Sequence, residues 1–258
     1  MRFGGFSLMT LLAGLAALAA PAVEAQAPGA GARLSALQIG IACAPPPVAV
    51  AVPRDAVRVL GAQAPEPRTV LGATDRVVLS GGTANGLAVG QRFFVRRPMV
   101  DPLLHAGRDH PWPQQTTGWV TIAAADATTA IATVDNACGP IEAGDHIQPF
   151  VAPAPPPGID QVEPSGGLDF LSAAHVLSGS DRHGNSSAGD YVLVDVGADR
   201  GLAPGAAVAF YRDPGVDGMP LVSIAEGAVV SVGPSMSLVR VNQGRTEVRR
   251  GDYLVPGK

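Results

Sequence analysis

Gly82-Thr83-Ala84-Asn85-Gly86-Leu87-Ala88-Val89-Gly90 decides the fold, because it returns 115 positions later as Gly197-Ala198-Asp199-Arg200-Gly201-Leu202-Ala203-Pro204-Gly205. The match extends without a gap from Asp75–Arg97 onto Asp190–Arg212. Its identical pairs include Asp75/Asp190, Val77/Val192, Gly82/Gly197, Gly86/Gly201, Leu87/Leu202, Gly90/Gly205 and Arg97/Arg212. An internal duplication fixes the structural unit before any fold is assigned. Asn85-Gly86 is a strong turn dipeptide, because both residue types tolerate positive φ. Leu87 is then placed to tuck under the turn, and Gly90 to swing the chain into the next strand. The second copy keeps Gly201, Leu202 and Gly205 and stiffens the corner with Pro204.

Outward from this turn, β-branched runs predict strands at Val57–Gly61, Arg76–Ser80 and Arg92–Arg96, with counterparts at His175–Ser178, around Val192, and at Ala207–Tyr211. The copies then diverge. Pro98–Thr117 reads as a 20-residue excursion, while the second copy returns through Asp213–Glu226. Matching resumes at Gly118-Trp119-Val120 against Gly227-Ala228-Val229. It predicts strands at Trp119–Ala123 with Ala130–Val134, and at Ala228–Val232 with Leu238–Val241. Each copy closes on a Gly-Asp signal and a short apolar strand, Gly144-Asp145-His146-Ile147 and Gly251-Asp252-Tyr253-Leu254. Short strands with turn signals every 8–12 residues suggest a small barrel or sandwich. Apart from a helical turn or two within Leu168–Leu177, no helix is expected in the mature chain. The segment from Val151 carries Pro153, Pro155, Pro156 and Pro157 and reads as an extended, mobile tether.

At the start of the chain, Arg2 precedes an apolar run from Leu8 to Ala20, followed by Pro21 and small-residue cleavage patterns ending at Ala25 or Ala27. That is the layout of a secretory signal peptide. At 13 residues the run falls short of the ~20 needed to span a bilayer. Ile41-Ala42-Cys43 loosely suggests a lipidation site, but it lies well past the apolar run. Seventeen Arg against one Lys, with abundant Ala, Gly and Pro, fit an exported protein of a bacterium with GC-rich coding. A net charge of −4 lacks the basic footprint of a nucleic-acid binder. The two cysteines, Cys43 and Cys138, are an even count in an exported chain and are expected to form a structural disulfide. A redox or metal pair would instead want C-x-x-C spacing or nearby histidines.

Chemistry-bearing residues are sparse. His105 and His110, with Asp101 or Asp109, are a conceivable metal set, but the spacing matches no closed zinc pattern. His175, Asp181 and His183 lie near Ser178, Ser180, Ser186 and Ser187, yet no G-x-S-x-G elbow supports a nucleophile. Gly81-Gly82 opens no phosphate loop. Trp112, stiffened by Pro111 and Pro113, either stacks on a sugar ring or partner pocket or covers the barrel's open end. Trp119 reads as core or half-buried. Arg96-Arg97 and Arg249-Arg250 either touch anionic envelope polymers or are solvated. Asn185-Ser186-Ser187 fits a glycosylation sequon, which carries little weight in a bacterial chain. No cofactor or metal is expected.

The pattern built from Gly82, Gly86, Leu87, Gly90, Gly144 and Asp145, repeated at Gly197, Gly201, Leu202, Gly205, Gly251 and Asp252, resembles β-modules of exported bacterial envelope proteins. Among these are the C-terminal domain of flagellar assembly protein T and domains that accompany LysM modules. The whole chain also looks like exported soil-bacterial proteins of the same two-module plan. The resemblance implies turn geometry rather than chemistry, and no functional residue carries over from it. The expected architecture is all-β, with two tandem small SH3-like β-barrel modules joined by a Pro/Gly-rich linker. The segments are a signal peptide (1–27), a Pro-rich N-terminal segment (28–56), module 1 (57–150), a linker (151–173) and module 2 (174–258). The expected function is a non-catalytic cell-envelope scaffold or adaptor, periplasmic or secreted, with no membrane span after signal cleavage. The alternative is a peptidoglycan or polysaccharide binder using Trp112. The expected partner is accordingly an envelope protein or a cell-wall glycan.

Overall fold

A computed structural model describes residues 1, 33–48, 50–66, 68–99, 113–160, 167–179 and 184–257. The signal-peptide reading lies outside these residues, Met1 apart. Residues 32–258 form one compact unit. Among the described residues no helix is long and apolar enough to cross a membrane.

The fold is all-β, and the duplication holds at the level of topology. The first module comprises β1 (Val59–Ala62), β2 (Arg76–Leu79), β3 (Arg92–Pro98), β4 (Gln114–Ala125), β5 (Ala130–Ala137) and β6 (His146–Pro149). These form one antiparallel six-stranded sheet in the order β1-β2-β5-β4-β3-β6, and an Arg58–His146 bridge brings its two edges together. The second comprises β7 (Ala174–Gly179), β9 (Tyr191–Val194), β10 (Ala207–Arg212), β11 (Val222–Val232), β12 (Ser237–Gly244) and β14 (Tyr253–Pro256). Taken in chain order these strands pair as in the first module, and here the barrel is fully closed by β14 against β7. A two-stranded ribbon of β8 (Asn185–Ser186) and β13 (Val248–Arg249) lies outside the barrel ladder. Even the irregularities repeat. The β3–β4 register slips between Val95 and Arg96, and the β10–β11 register slips at the equivalent Phe210 and Tyr211.

Strand alternation supplies each barrel with its own core. Val77, Leu79, Val95, Val120, Ile122 and Ile141 fill the first, and Val192, Val194, Phe210, Val229, Val239 and Leu254 fill the second. Burying a side chain such as Phe210 stabilises by roughly 2–3 kcal/mol.

The duplicated turn explains its own glycines. Gly86 and Gly201 take the left-handed conformation at φ 80° and 78°, where a side chain would be strained. Leu87 and Leu202 then donate their backbone N–H to Gly82 and Gly197 at 3.2 Å, with both leucine side chains buried. Gly82 and Gly197 are small for another reason. A Cβ at Gly82 would sit 2.1 Å from the Asp126 carbonyl oxygen, and one at Gly197 2.5 Å from that of Gly233. Gly90 and Gly205 also have positive φ and hydrogen-bond across to Ile122 and Val229. Asn85 differs from the sequence expectation. It sits in a short 3₁₀ turn, and its side-chain oxygen accepts from the Gly82 N–H at 3.2 Å.

Three further departures from the sequence reading concern the segments between and within the barrels. Helix α1 (Ala36–Cys43) forms before the polyproline run. Ser35 Oγ accepts from Gln38 N, and Gln38 Oε1 accepts from Ser35 N, so a capping box starts the helix. Pro45 disfavours a helical conformation at Ala44, which ends it with ψ 153°. Second, the excursion is shorter than expected, since β3 runs on to Pro98 and β4 begins at Gln114. Third, the start of the linker is docked rather than free. The Asn242 side chain donates to the Ile159 carbonyl at 2.9 Å, Arg240 pairs with Asp160 at 2.8 Å, and Ile159 is buried. Within Leu168–Leu177 only Phe170–Ser172 makes a helical turn, capped by Asp169, before β7 begins.

Candidate functional site

The most built-up region outside the two cores is the seam along α1. One side of the helix meets the first barrel, where Ala42 packs with Phe94 and Trp119. Val120 and Ile122 point into that barrel, so Trp119 projects outward from the same strand. It is nevertheless only 3% exposed, because Ala42, Cys43, Cys138 and Phe150 roof it. Phe94, Trp119 and Phe150 form an aromatic cluster with centroids 4.6–6.5 Å apart. The Cys43–Cys138 disulfide fastens the helix end to the residue that follows β5 and closes a loop of 95 residues. The other side of the helix meets the second barrel. Leu37, Ile41 and Ala44 pack with Tyr191, Val230 and Leu238, and a Cβ at Gly40 would lie 3.0 Å from the Tyr191 ring. Gln38 reaches the Pro153 carbonyl at 3.1 Å. The carbonyl of Pro47 approaches Gly233 so closely that a Cβ there would lie 2.0 Å away. Helix and proline strip together bind the two barrels.

Each barrel also carries the same internal ion pair. Arg97 Nε and Nη2 donate to the two carboxylate oxygens of Asp145 at 2.6 and 3.0 Å, and Arg212 grips Asp252 identically at 2.8 and 2.8 Å. The second Nη2 contact is a backbone carbonyl in both cases, Pro140 and Glu247. Each carboxylate also caps its own tight turn, accepting from Glu142 N or Arg249 N. The carbonyl of the same residue receives the closing strand, from Val59 N in one copy and Val176 N in the other. The staple therefore sits at the corner where each barrel closes. Hydrogen bonding to Asp145 and Asp252 raises the pKa of both guanidinium groups, holding them charged.

The remaining candidates fall as follows. Trp112, His105, His110, Asp101, Asp109, Ser180, Asp181 and His183 lie outside the described residues. His175 stands on β7 with its ring 3.5 Å from Asp195. Ser186 is buried, and the Ser187 N–H caps onto Asp190 at 2.7 Å. Arg97 belongs to the staple, and Arg249 pairs with Glu247. Arg96 is pressed against the Phe94 ring at 4.7 Å, and burial lowers its pKa to about 10. His146 is buried between Arg58 and Arg96, and burial, reinforced by both cations, lowers its pKa. Among the described residues no group of three or more His, Cys, Asp or Glu side chains converges as a metal site would require. Sequence reasoning missed the seam. Its available signal was Ser35-Ala36-Leu37-Gln38, the spacing of a capping box just ahead of a cysteine.

In comparison with known proteins, no family model and no curated protein matches the chain.

Proposed function

We propose that the protein is an exported, non-catalytic scaffold or adaptor of the bacterial cell envelope, presenting two barrel surfaces in fixed relation to partner proteins. The observation that supports it is the seam: α1 shares apolar contacts with both barrels and is cross-linked to the first. A tether of free proline and glycine would leave two independent modules. A docked helix instead preorganises their faces, which lowers the entropic cost of engaging both at once. The disulfide suits an oxidising compartment. The glycine turns resemble those of exported envelope modules, in keeping with the same setting.

The test is photo-crosslinking in intact cells from exposed positions on each barrel, Val89 and Val216, followed by affinity capture. Discrete protein adducts from both positions support the scaffold. Absence of any adduct from either position overturns it. Retention on purified sacculi that disappears in Trp112→Ala would replace it with the glycan-binding reading.

A further inference from the structure

The outer face of the second barrel carries an aromatic row. Tyr211 on β10 lies directly opposite Tyr253 on β14, and Tyr253 directly opposite His175 on β7. Their neighbours Phe210, Leu254 and Ala174 face the core, so alternation turns Tyr211, Tyr253 and His175 outward. Phe170 packs edge-on against Tyr211 with centroids 5.1 Å apart, and His175 tilts against Tyr253 at 4.8 Å. Beside them Leu171 is completely exposed and Phe170 half exposed.

The duplication provides a control for what such a face does. In the first barrel the equivalent row is Thr116, Arg96, His146 and Arg58, in the same cross-strand register. Two of its members are covered: Thr116 and His146 are 0% and 1% exposed, with Arg96 and Arg58 half-buried beside them. Thr116 Oγ1 donates to the Ala44 carbonyl at 3.3 Å, and the neighbouring Gln114 side chain donates to the Val50 carbonyl at 2.8 Å. The carbonyls of Ala44, just ahead of Pro45-Pro46-Pro47, and of Val50 beyond them are thus the chain's own contacts at the β4 end of this face.

We propose that the matching face of the second barrel, formed by Phe170, Leu171, Tyr211, Tyr253 and His175, docks an extended proline-rich polypeptide segment of a partner protein. This names the partner class for the scaffold reading and rests on it. An extended proline-rich strand makes no internal hydrogen bonds and offers its carbonyls outward. Tyrosine hydroxyls are suited to donate to such carbonyls, as the Thr116 hydroxyl and Gln114 amide do in the first barrel. The row offers the aromatic lining on which proline-rich segments dock, and its rings, inclined at 65° and 48°, share no single plane on which a sugar could lie.

The experiment titrates the full chain, disulfide intact, with a synthetic peptide copying residues 44–53. Two comparison ligands are the same peptide with alanine at its three consecutive prolines, and a chito-oligosaccharide. Saturable binding of the proline peptide is expected. It should weaken at least tenfold in a Tyr211→Ser, Tyr253→Ser double variant, and at least tenfold for the alanine peptide. Phe170→Ser with Leu171→Ser, at exposed positions outside the barrel strands, should weaken it several-fold. Equal affinity for all variants, equal affinity for the alanine peptide, or binding of the oligosaccharide alone would overturn the assignment. In cells, crosslinked partners that persist unchanged in the Phe170→Ser, Leu171→Ser variant overturn this site and leave the scaffold standing. Absence of every partner removes both.

Discussion

Removing Asp145 should cost the protein a large part of its stability, and removing Asp252 should cost nearly the same. Asp145→Ala deletes both ends of the bidentate grip on Arg97 and leaves the Glu142 N–H without its acceptor, while the Thr117 hydroxyl keeps the Val95 carbonyl. Breaking a buried pair by deleting one partner costs about 3–5 kcal/mol. Arg97 remains 23% exposed, so water screens part of that loss and the lower end, about 3 kcal/mol, is expected. For a unit of this size that corresponds to a fall of about 6–12 °C in Tm. Urea unfolding followed by tryptophan fluorescence gives the free energies. A double-mutant cycle with Arg97→Met isolates the pair, for which about 1–3 kcal/mol of coupling is expected. The Arg212→Met, Asp252→Ala cycle should agree within about 1 kcal/mol, because the second staple repeats the bidentate grip, the backbone carbonyl contact and the turn cap of the first. Additive losses in both cycles, with no measurable coupling, would refute the claim that the staples close the barrels.

Three further outcomes are expected. Non-reducing mass analysis of the protein should find no free thiol, and Cys43→Ser with Cys138→Ser should lower stability by about 3–5 kcal/mol, as the chain-entropy relation gives for a loop of 95 residues; two alkylatable cysteines would contradict the bridge. Gly82→Ala and Gly197→Ala should each destabilise by more than about 1 kcal/mol in thermal unfolding, since the added Cβ meets a backbone carbonyl that cannot yield; a neutral result would show that the turn has room. Because burial lowers the pKa of His146 below its usual 6.5, the unfolded chain binds that proton first, and stability should fall as the pH drops below about 6.5. His146→Gln should flatten that part of the pH–stability curve, and an unchanged slope would assign it to other groups.

The repeated glycines made the turns legible, because positive φ and close backbone approach leave few other residues possible. Arg97/Arg212 and the two Gly-Asp corners were equally visible as repeats, yet their partnership was not. The paired residues lie 48 and 40 positions apart, and nothing local announces a contact at that range. Trp119 reads as core or half-buried and is buried, but outside the barrel core: its alternation is that of an outward residue, and a helix folded back from before the module covers it together with Cys138 and Phe150. That helix has 8 residues and is followed, after Ala44, by three prolines, so it offers too little periodicity to be seen without its capping pair. The faces that the barrels show to solvent depend on what covers them, which strand patterns do not record.

The seam also limits how the molecule can be taken apart. Cutting after Phe150 would deprive Leu37, Ile41 and Ala44 of Tyr191, Val230 and Leu238, giving the isolated N-terminal half a sticky stripe. The C-terminal half alone would bare the opposite wall. Anyone expressing the halves separately should first replace the stranded aliphatics with polar residues. During synthesis, too, the helix leaves the ribosome long before either surface it will join, and the side that meets the second barrel must wait for nearly the whole chain.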